Sequence, residues 1–288
     1  NTTTGAQKHY FLFKMSYQVL SRKWRPQRFD EVVGQLHVTR TLQNAIGMDR
    51  VAHGYLFAGP RGVGKTTTAR ILAKALNCKT PQDKNPCNKC SNCKDITKGS
   101  SLDVQELDGA SNRGIDEIRG LREAVKYPPN SGEYRIYIID EVHMLTREAF
   151  NALLKTLEEP PPHIVFIMAT TDAHKVPATI LSRTQKFDFK PISVNDSSTY
   201  LKGILDNEKM IYDEEGIYLI AQKADGSLRD SLSLLDQVIA YADDKLDVNT
   251  LRDVLGIIEE NVFLDVISLI NEKNYQELII YINKLLND

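Results

Sequence analysis

The chain has 288 residues, 42% hydrophobic and 26% charged, with a formal net charge of −2. That length predicts two domains, or two and a fragment, and the composition is that of a soluble globular protein rather than a disordered one. The near-neutral charge excludes a protein that coats nucleic acid with its whole surface. The longest apolar run, IVFIMA at residues 164–169, is too short to cross a bilayer, and no secretory signal is visible, so a cytoplasmic protein without membrane contact is expected.

Residues 1–16 are expected to be a tail or a remnant of expression, because the chain does not begin with Met and Met15 opens a more ordinary start. The segment RKWRPQR at 22–28 then gathers Arg22, Lys23, Arg25 and Arg28 around Trp24. It reads either as a solvated basic arm or as a contact for nucleic acid or nucleotide.

From Tyr55 to Phe189 short β-branched runs alternate with helical periodicity. Strands are predicted at 55–58, 104–107, 135–140, 164–169 and 185–189. Helices are predicted at 66–77 (Ile71, Leu72, Ala75 and Leu76 on one face), 114–127 (Ile115, Ile118, Leu121, Val125) and 146–159 (Phe150, Leu153, Leu154, Leu157). Pro160, Pro161 and Pro162 end the last of these, since proline lacks the amide and clashes with the preceding turn. The alternation implies an α/β fold, a mainly parallel sheet covered on both faces. After Pro191 strand signals disappear, and helices are predicted at 213–225, 227–242, 249–256, 260–274 and 275–287. The expected domains are 17–192, 193–255 and the opening helices of a third unit at 256–288.

Gly59, Pro60, Arg61, Gly62, Val63, Gly64, Lys65 and Thr66 match G-x-x-x-x-G-K-[ST], between a predicted strand and a predicted helix. Glycines at those places let successive backbone N–H groups converge on phosphate oxygens, and the following helix turns its positive end to the same anion. Lys65 is assigned to the β/γ-phosphates of ATP, and the Thr66 hydroxyl to Mg²⁺. A hydrolytic site needs a second element, and the apolar positions that run into acids at 136–141 (IYIIDE) supply it. Asp140 is expected in the Mg²⁺ shell, and Glu141 orients the attacking water. His143 has no second histidine at ligand spacing, which favours a packing or hydrogen-bonding role. Thr170 and Thr171 follow a buried strand, where a polar group could sense the γ-phosphate or simply cap the next turn.

These motifs, with WRPQRFDEVVGQ at 24–35, DEVHML at 140–145, NALLKTLEEPP at 151–161, Ser182-Arg183 and SLRD at 227–230, resemble the gamma/tau subunit family of the bacterial DNA polymerase III clamp loader, within the AAA+ ATPases. The resemblance runs from about Tyr17 to Asp243. It implies an AAA+ nucleotide-binding domain with a zinc-binding insertion, a small helical lid and the start of a helical collar. It makes Thr171 the sensor-1 residue and Arg229 the sensor-2 arginine. Arg183 becomes an arginine finger acting on a neighbour's site, although Thr184 stands where the family usually writes cysteine. The segment around Val33 would border the adenine.

The four cysteines, Cys78, Cys87, Cys90 and Cys93, are spaced C-x8-C-x2-C-x2-C. Thiolates so spaced can converge tetrahedrally on Zn²⁺, and with four sulfurs no position is left for a catalytic water. The intervening prolines, asparagines and lysines offer almost no apolar core, so the metal is expected to supply most of this element's folding free energy. A projecting surface element with no part in hydrolysis is expected.

The function that follows is an ATPase motor that loads a sliding clamp on primer-template DNA. Its expected partners are the other clamp-loader subunits in a hetero-oligomeric ring, the clamp, the polymerase core and DNA held through its backbone, with Arg113 and Arg147 as candidate contacts. Two alternatives remain open at this stage: a non-hydrolysing structural subunit of the same assembly, and an AAA+ branch-migration helicase.

Overall fold

A computed structural model describes residues 18–241, 245–256 and 260–287; the expected tail at 1–16 lies outside them. In chain order the described residues form α1 (Leu20–Lys23), α2 (Leu36–Gly47), β1 (Gly54–Ala58), α3 (Lys65–Leu76), α4 (Ser91–Lys98), β2 (Val104–Asp108), α5 (Ile115–Ala124) and β3 (Arg135–Asp140). These are followed by α6 (Arg147–Glu158), β4 (Ile164–Thr170), α7 (Ala178–Leu181), β5 (Gln185–Asp188), α8 (Val194–Glu208), β6 (Ile211–Tyr212) and α9 (Glu214–Lys223). The last are α10 (Leu228–Tyr241), β7 (Lys245–Leu246), α11 (Val248–Leu255), α12 (Glu260–Asn271) and α13 (Tyr275–Asn287).

Five strands pair in the order β2-β3-β4-β1-β5, and every pairing is parallel. Strand periodicity sends successive side chains to opposite faces, and both faces are covered. Tyr55, Phe57, Ile136, Ile138, Val165 and Ile167 point into a cluster with Val38, Leu42, Ile71 and Leu72 of α2 and α3. Leu56, Tyr137, Ile139, Phe166 and Met168 point the other way, onto Ile118 and Leu121 of α5 and Phe150, Leu153 and Leu157 of α6. Thr146 caps α6 by accepting from the Ala149 amide at 3.2 Å. Because the chain runs along neighbouring strands in one direction, all the strands end on one edge, where the connecting loops form a crevice.

A third cluster belongs to the helical part, with Leu201 and Leu205 of α8, Ile217 and Ile220 of α9, Leu232 and Leu235 of α10, and Leu251 of α11. The short pair β6-β7, also parallel, was not foreseen: two residues per strand are too few to show a period. The amino-terminal strand of chain reaches into this cluster too. Leu20 is buried there, Trp24 Nε1 donates to Glu208 Oε1 at 2.9 Å, and the Tyr200 hydroxyl donates to the Trp24 carbonyl at 2.5 Å. Further along, Gln35 clamps the same segment to the sheet side, its amide exchanging bonds of 2.7 and 3.1 Å with the Lys190 backbone. Residues 19–35 are therefore a strap across both units.

Candidate nucleotide site and cysteine cluster

The phosphate loop leaves β1 and enters α3, as its sequence context requires. Gly59 passes so close to the end of β5 that a Cβ there would lie 2.4 Å from the Phe189 carbonyl oxygen. Gly62 has φ +77°, and a Cβ on it would lie 2.0 Å from Ser227 Oγ at the head of α10. Glycine is needed at both places, for close approach at the first and for the left-handed backbone at the second. Lys65 is buried, and its ammonium donates to the carbonyls of Gly59 (2.8 Å) and Pro60 (2.6 Å). Burial lowers its pKa, the charges of Glu141 and Asp140 act in the opposite sense, and Arg229 lowers it further.

Thr66 lies in the first turn of α3 and Asp140 ends β3, and the two meet: Thr66 Oγ1 donates to Asp140 Oδ2 at 2.7 Å. This hydroxyl-carboxylate pair is an oxygen donor set suited to a hard divalent ion. Glu141 follows in a left-handed conformation, φ 46°, rare for a residue with a side chain. Its Oε2 accepts from the Thr171 amide (3.2 Å) and hydroxyl (2.9 Å). His143 Nδ1 lies 3.3 Å from the same oxygen and 3.0 Å from Thr170 Oγ1, so this histidine is a hydrogen-bonding neighbour of the glutamate.

Around these groups opens a pocket. The loop and the Asp140-Glu141 pair form its floor, Arg25, Pro26, Val32 and Val33 of the strap one wall, and Leu228, Arg229 and Leu232 of α10 the other. The lid touches the loop directly, the Arg229 amide donating to the Gly62 carbonyl at 3.4 Å. Of the two readings of the basic segment, the position of Arg25 in the strap wall favours a nucleotide contact over a solvated arm. Its guanidinium is held below its ordinary value by burial, then by the neighbouring charges of Arg70 and Arg229. Four cations, Arg25, Arg61, Lys65 and Arg229, thus line one cavity together with two carboxylates, Asp140 and Glu141. Such a field suits a polyanion.

Arg183 is not among the residues lining this pocket. It follows α7, donates to the Thr179 carbonyl and Ser182 Oγ, and pairs with Glu158 at 2.8 Å. Arg113 and Arg147 are both exposed and adjacent, since the Thr146 amide before α6 donates to the Arg113 carbonyl at 3.1 Å.

The four cysteine sulfurs lie within 4.8 Å of one another, and all four cysteines are free thiols. The Cys87 sulfur accepts from the amides of Lys89 (3.4 Å) and Cys90 (3.3 Å), and Cys78 Sγ accepts from the Cys87 amide (3.3 Å). Amides aimed at sulfur favour the thiolate; a hydrogen bond from Thr80, then those from Lys89 and Cys90, hold the Cys87 thiol below its ordinary value. The donor chemistry fits a tetrathiolate zinc site. The loop projects only in part: residues 79–84 are exposed, while from Asn85 onward it is packed into the body of the molecule. Asn85, Cys87, Asn92, Cys93 and Ile96 are buried, and Asn92 Nδ2 donates to the carbonyls of Asn77 (2.9 Å) and Ser131 (3.2 Å). Buried asparagines that satisfy backbone groups replace the missing apolar core, a device that composition alone reads as polar surface.

A family model described as DNA polymerase III, delta subunit, matches residues 34–193, and one described as DNA polymerase III clamp loader subunit, ATPase lid domain, matches residues 198–244. The chain is 44% identical over 250 residues to the DNA polymerase III subunit gamma of Buchnera aphidicola subsp. Baizongia pistaciae, covering 87% of this chain and 68% of that one. The chain belongs to the DNA polymerase III gamma/tau family. It is 53% identical over 246 residues to the subunit tau of Bacillus subtilis (85% of this chain, 44% of that protein) and 48% identical over 247 residues to that of Escherichia coli (86% and 38%). This gamma/tau chain therefore spans less than half the length of those tau subunits. Its fold is that of AAA+ P-loop ATPases. A Thermotoga maritima RuvB Holliday junction branch migration motor superposes with a TM-score of 0.61 at 18% identity, over 87% of this chain and 80% of that one; a likeness so distant in sequence concerns the fold. The AAA+ fold implies a nucleotide and Mg²⁺, and no helix among the described residues is long and apolar enough to cross a membrane.

Proposed function

We propose that the chain is the ATPase motor part of a bacterial clamp loader in the cytoplasm, using ATP binding and hydrolysis to place a sliding clamp on primed DNA. The observation that supports this reading is the grouping of Lys65, Thr66, Asp140 and Glu141 at one pocket, with Thr171 bonded to Glu141. A purely structural subunit would have no need of them, and the four-cysteine loop together with the family match distinguishes the chain from a branch-migration helicase.

Residues 59–66 hold the triphosphate, with Lys65 leaving its carbonyl partners for the β/γ-phosphates. Val33 and Arg25 border the base and sugar side, and Arg229 reaches from the lid. Thr66 and Asp140 would hold Mg²⁺, which would supply positive charge to offset that of the phosphates. Glu141 orients and polarises water once ATP draws Thr171 away from it. Arg183 acts in trans on a neighbouring subunit, where an arginine meeting charge that develops only in the transition state contributes about 10³–10⁵ in rate. Cys78, Cys87, Cys90 and Cys93 hold structural Zn²⁺. Other loader subunits, the clamp, the polymerase core and the DNA backbone are the partners.

The test is clamp loading on primed DNA by a reconstituted loader carrying wild type or Glu141→Gln. We expect the variant to bind ATP with wild-type affinity while steady-state turnover falls at least a hundredfold, on the order of the general-base contribution. Wild-type turnover in the variant would remove Glu141 from the chemistry, and a wild-type loader that hydrolyses ATP without loading clamp would contradict the assigned task.

A further inference from the structure

The cysteine loop and the nucleotide pocket share a wall. The strap residues that border the pocket, Arg25, Pro26, Val32 and Val33, contain no regular structure beyond one helical turn at Phe29–Glu31. Beside the burial of Phe29 in the core, two side chains from the cysteine loop and one from the phosphate-loop helix hold this stretch. Asn85 Oδ1, buried, accepts from the Phe29 amide at 2.9 Å. Asn88, between Cys87 and Cys90, donates to the Gln27 carbonyl at 3.3 Å. Lys74 of α3 is 2% exposed and spends its donors on the Gln27 carbonyl (3.1 Å), Gln27 Oε1 (2.6 Å) and Asn88 Oδ1 (2.7 Å).

All the acceptors that Lys74 contacts are neutral, and a buried ammonium is costly without negative charge nearby. Its partner Asn88 stands between Cys87 and Cys90, and four thiolates around a divalent ion would carry a net charge of −2. The loop also holds Asp83, Lys84 and Asn88 at φ 48°, 62° and 56°, conformations that persist only where the surroundings over-determine them. Four bonds to one ion would do so.

We infer that Lys74, with Asn85 and Asn88, couples metal bound by the four cysteines to the strap wall of the nucleotide pocket, so that metal occupancy raises the affinity for ATP. The inference rests on the preceding reading that the cysteines hold zinc and the pocket holds ATP. Lys74 is a positioning residue in this scheme: it lies nine residues beyond Lys65 on one helix, about 13 Å along its axis. Coupling of this kind is reciprocal, so ATP must tighten zinc by the same factor.

The experiment measures three quantities on the zinc-loaded chain: zinc content, Kd for a fluorescent ATP analogue with Mg²⁺, and Kd for zinc by chelator competition with and without ATP. The variants are Lys74→Met and Asn88→Gly, the latter keeping the left-handed backbone while removing the side chain. We expect the Kd for the analogue to rise about tenfold or more in each, as for the loss of a metal's outer partners. Asn88→Gly should still hold one zinc, and stripping zinc from wild type should produce a similar loss. Folded variants that bind the analogue as wild type does, or a zinc-free wild type with unchanged affinity, would overturn the coupling. A wild type that binds the analogue but never takes up zinc would overturn the metal reading and the coupling with it. One that holds zinc but ignores the analogue would overturn the ATP reading.

Discussion

Asp103, just before β2, is 3% exposed and accepts from the amides of Asn130 (2.5 Å), Ser131 (2.7 Å) and Gly132 (2.8 Å) and from the Ser131 hydroxyl (3.1 Å). Burial alone would raise its pKa, but these bonds hold the carboxyl below its ordinary value. A carboxylate depressed on folding stabilises the protein above the unfolded value, and that contribution is lost as pH falls through the lower folded value. Asp103→Asn places an NH₂ among the amides and should cost about 2 kcal/mol near neutrality. In urea denaturation the gap between variant and wild type should narrow once the pH drops below the ordinary carboxylate range; a gap independent of pH would rule out the charge. Residues of this kind are hard to see in a sequence. Lys65, Thr66, Asp140 and Glu141 stand in motifs whose spacing states their chemistry, whereas Asp103, Asn77 and Arg25 take their surroundings from chain that is remote in sequence. Asn77 shows the same, receiving the Glu133 and Tyr134 amides across more than fifty positions.

Among the elements, α3 and α10 meet the phosphate loop from opposite sides, and Gly62 is where the lid rests on it. Gly62→Ala would bring Cβ to within 3.0 Å of Ser227 Cβ and 3.3 Å of Arg229 Cβ as well as onto Ser227 Oγ, at a backbone φ that L residues resist. The left-handed conformation alone costs roughly 1–2 kcal/mol, and turning the serine hydroxyl aside leaves both Cβ contacts tight. We expect α10 to shift away and the Kd for ATP to rise about tenfold, 1.4 kcal/mol, in a protein that stays folded by far-UV circular dichroism; unchanged affinity would show that the lid contact does not matter. The five strands of the sheet domain and α3, α5 and α6 were legible because each buries a face with a clear period, as Tyr55 and Phe57 against Leu56 show, whereas α2, α4 and α7 were not foreseen. The convergence of the four cysteines was legible from their spacing, but the packing of their loop and of the strap was not, because both are held by single side-chain bonds without a period, and β6 and β7 are too short to have one.

At the scale of the whole molecule, Arg183 stands apart from its own chain's pocket, tied to Glu158. A subunit that lends its arginine to a neighbour makes a specific complementation possible. In a reconstituted loader, Lys65→Ala and Arg183→Ala should each lose stimulated turnover, while the mixed assembly regains part of it, an intact pocket of the second variant lying beside an intact arginine of the first. A mixture that gives only the sum of its parts would place Arg183 outside catalysis.

The central claim, that the loop at 59–66 grips ATP with magnesium at Thr66 and Asp140, is tested most directly by equilibrium titration of the isolated chain with ATP. Wild type should bind one ATP per chain, more tightly with Mg²⁺ than without it, and Lys65→Ala should weaken that binding by at least a hundredfold, about 2.7 kcal/mol. Equal binding by wild type and Lys65→Ala, or an affinity indifferent to Mg²⁺, would contradict it.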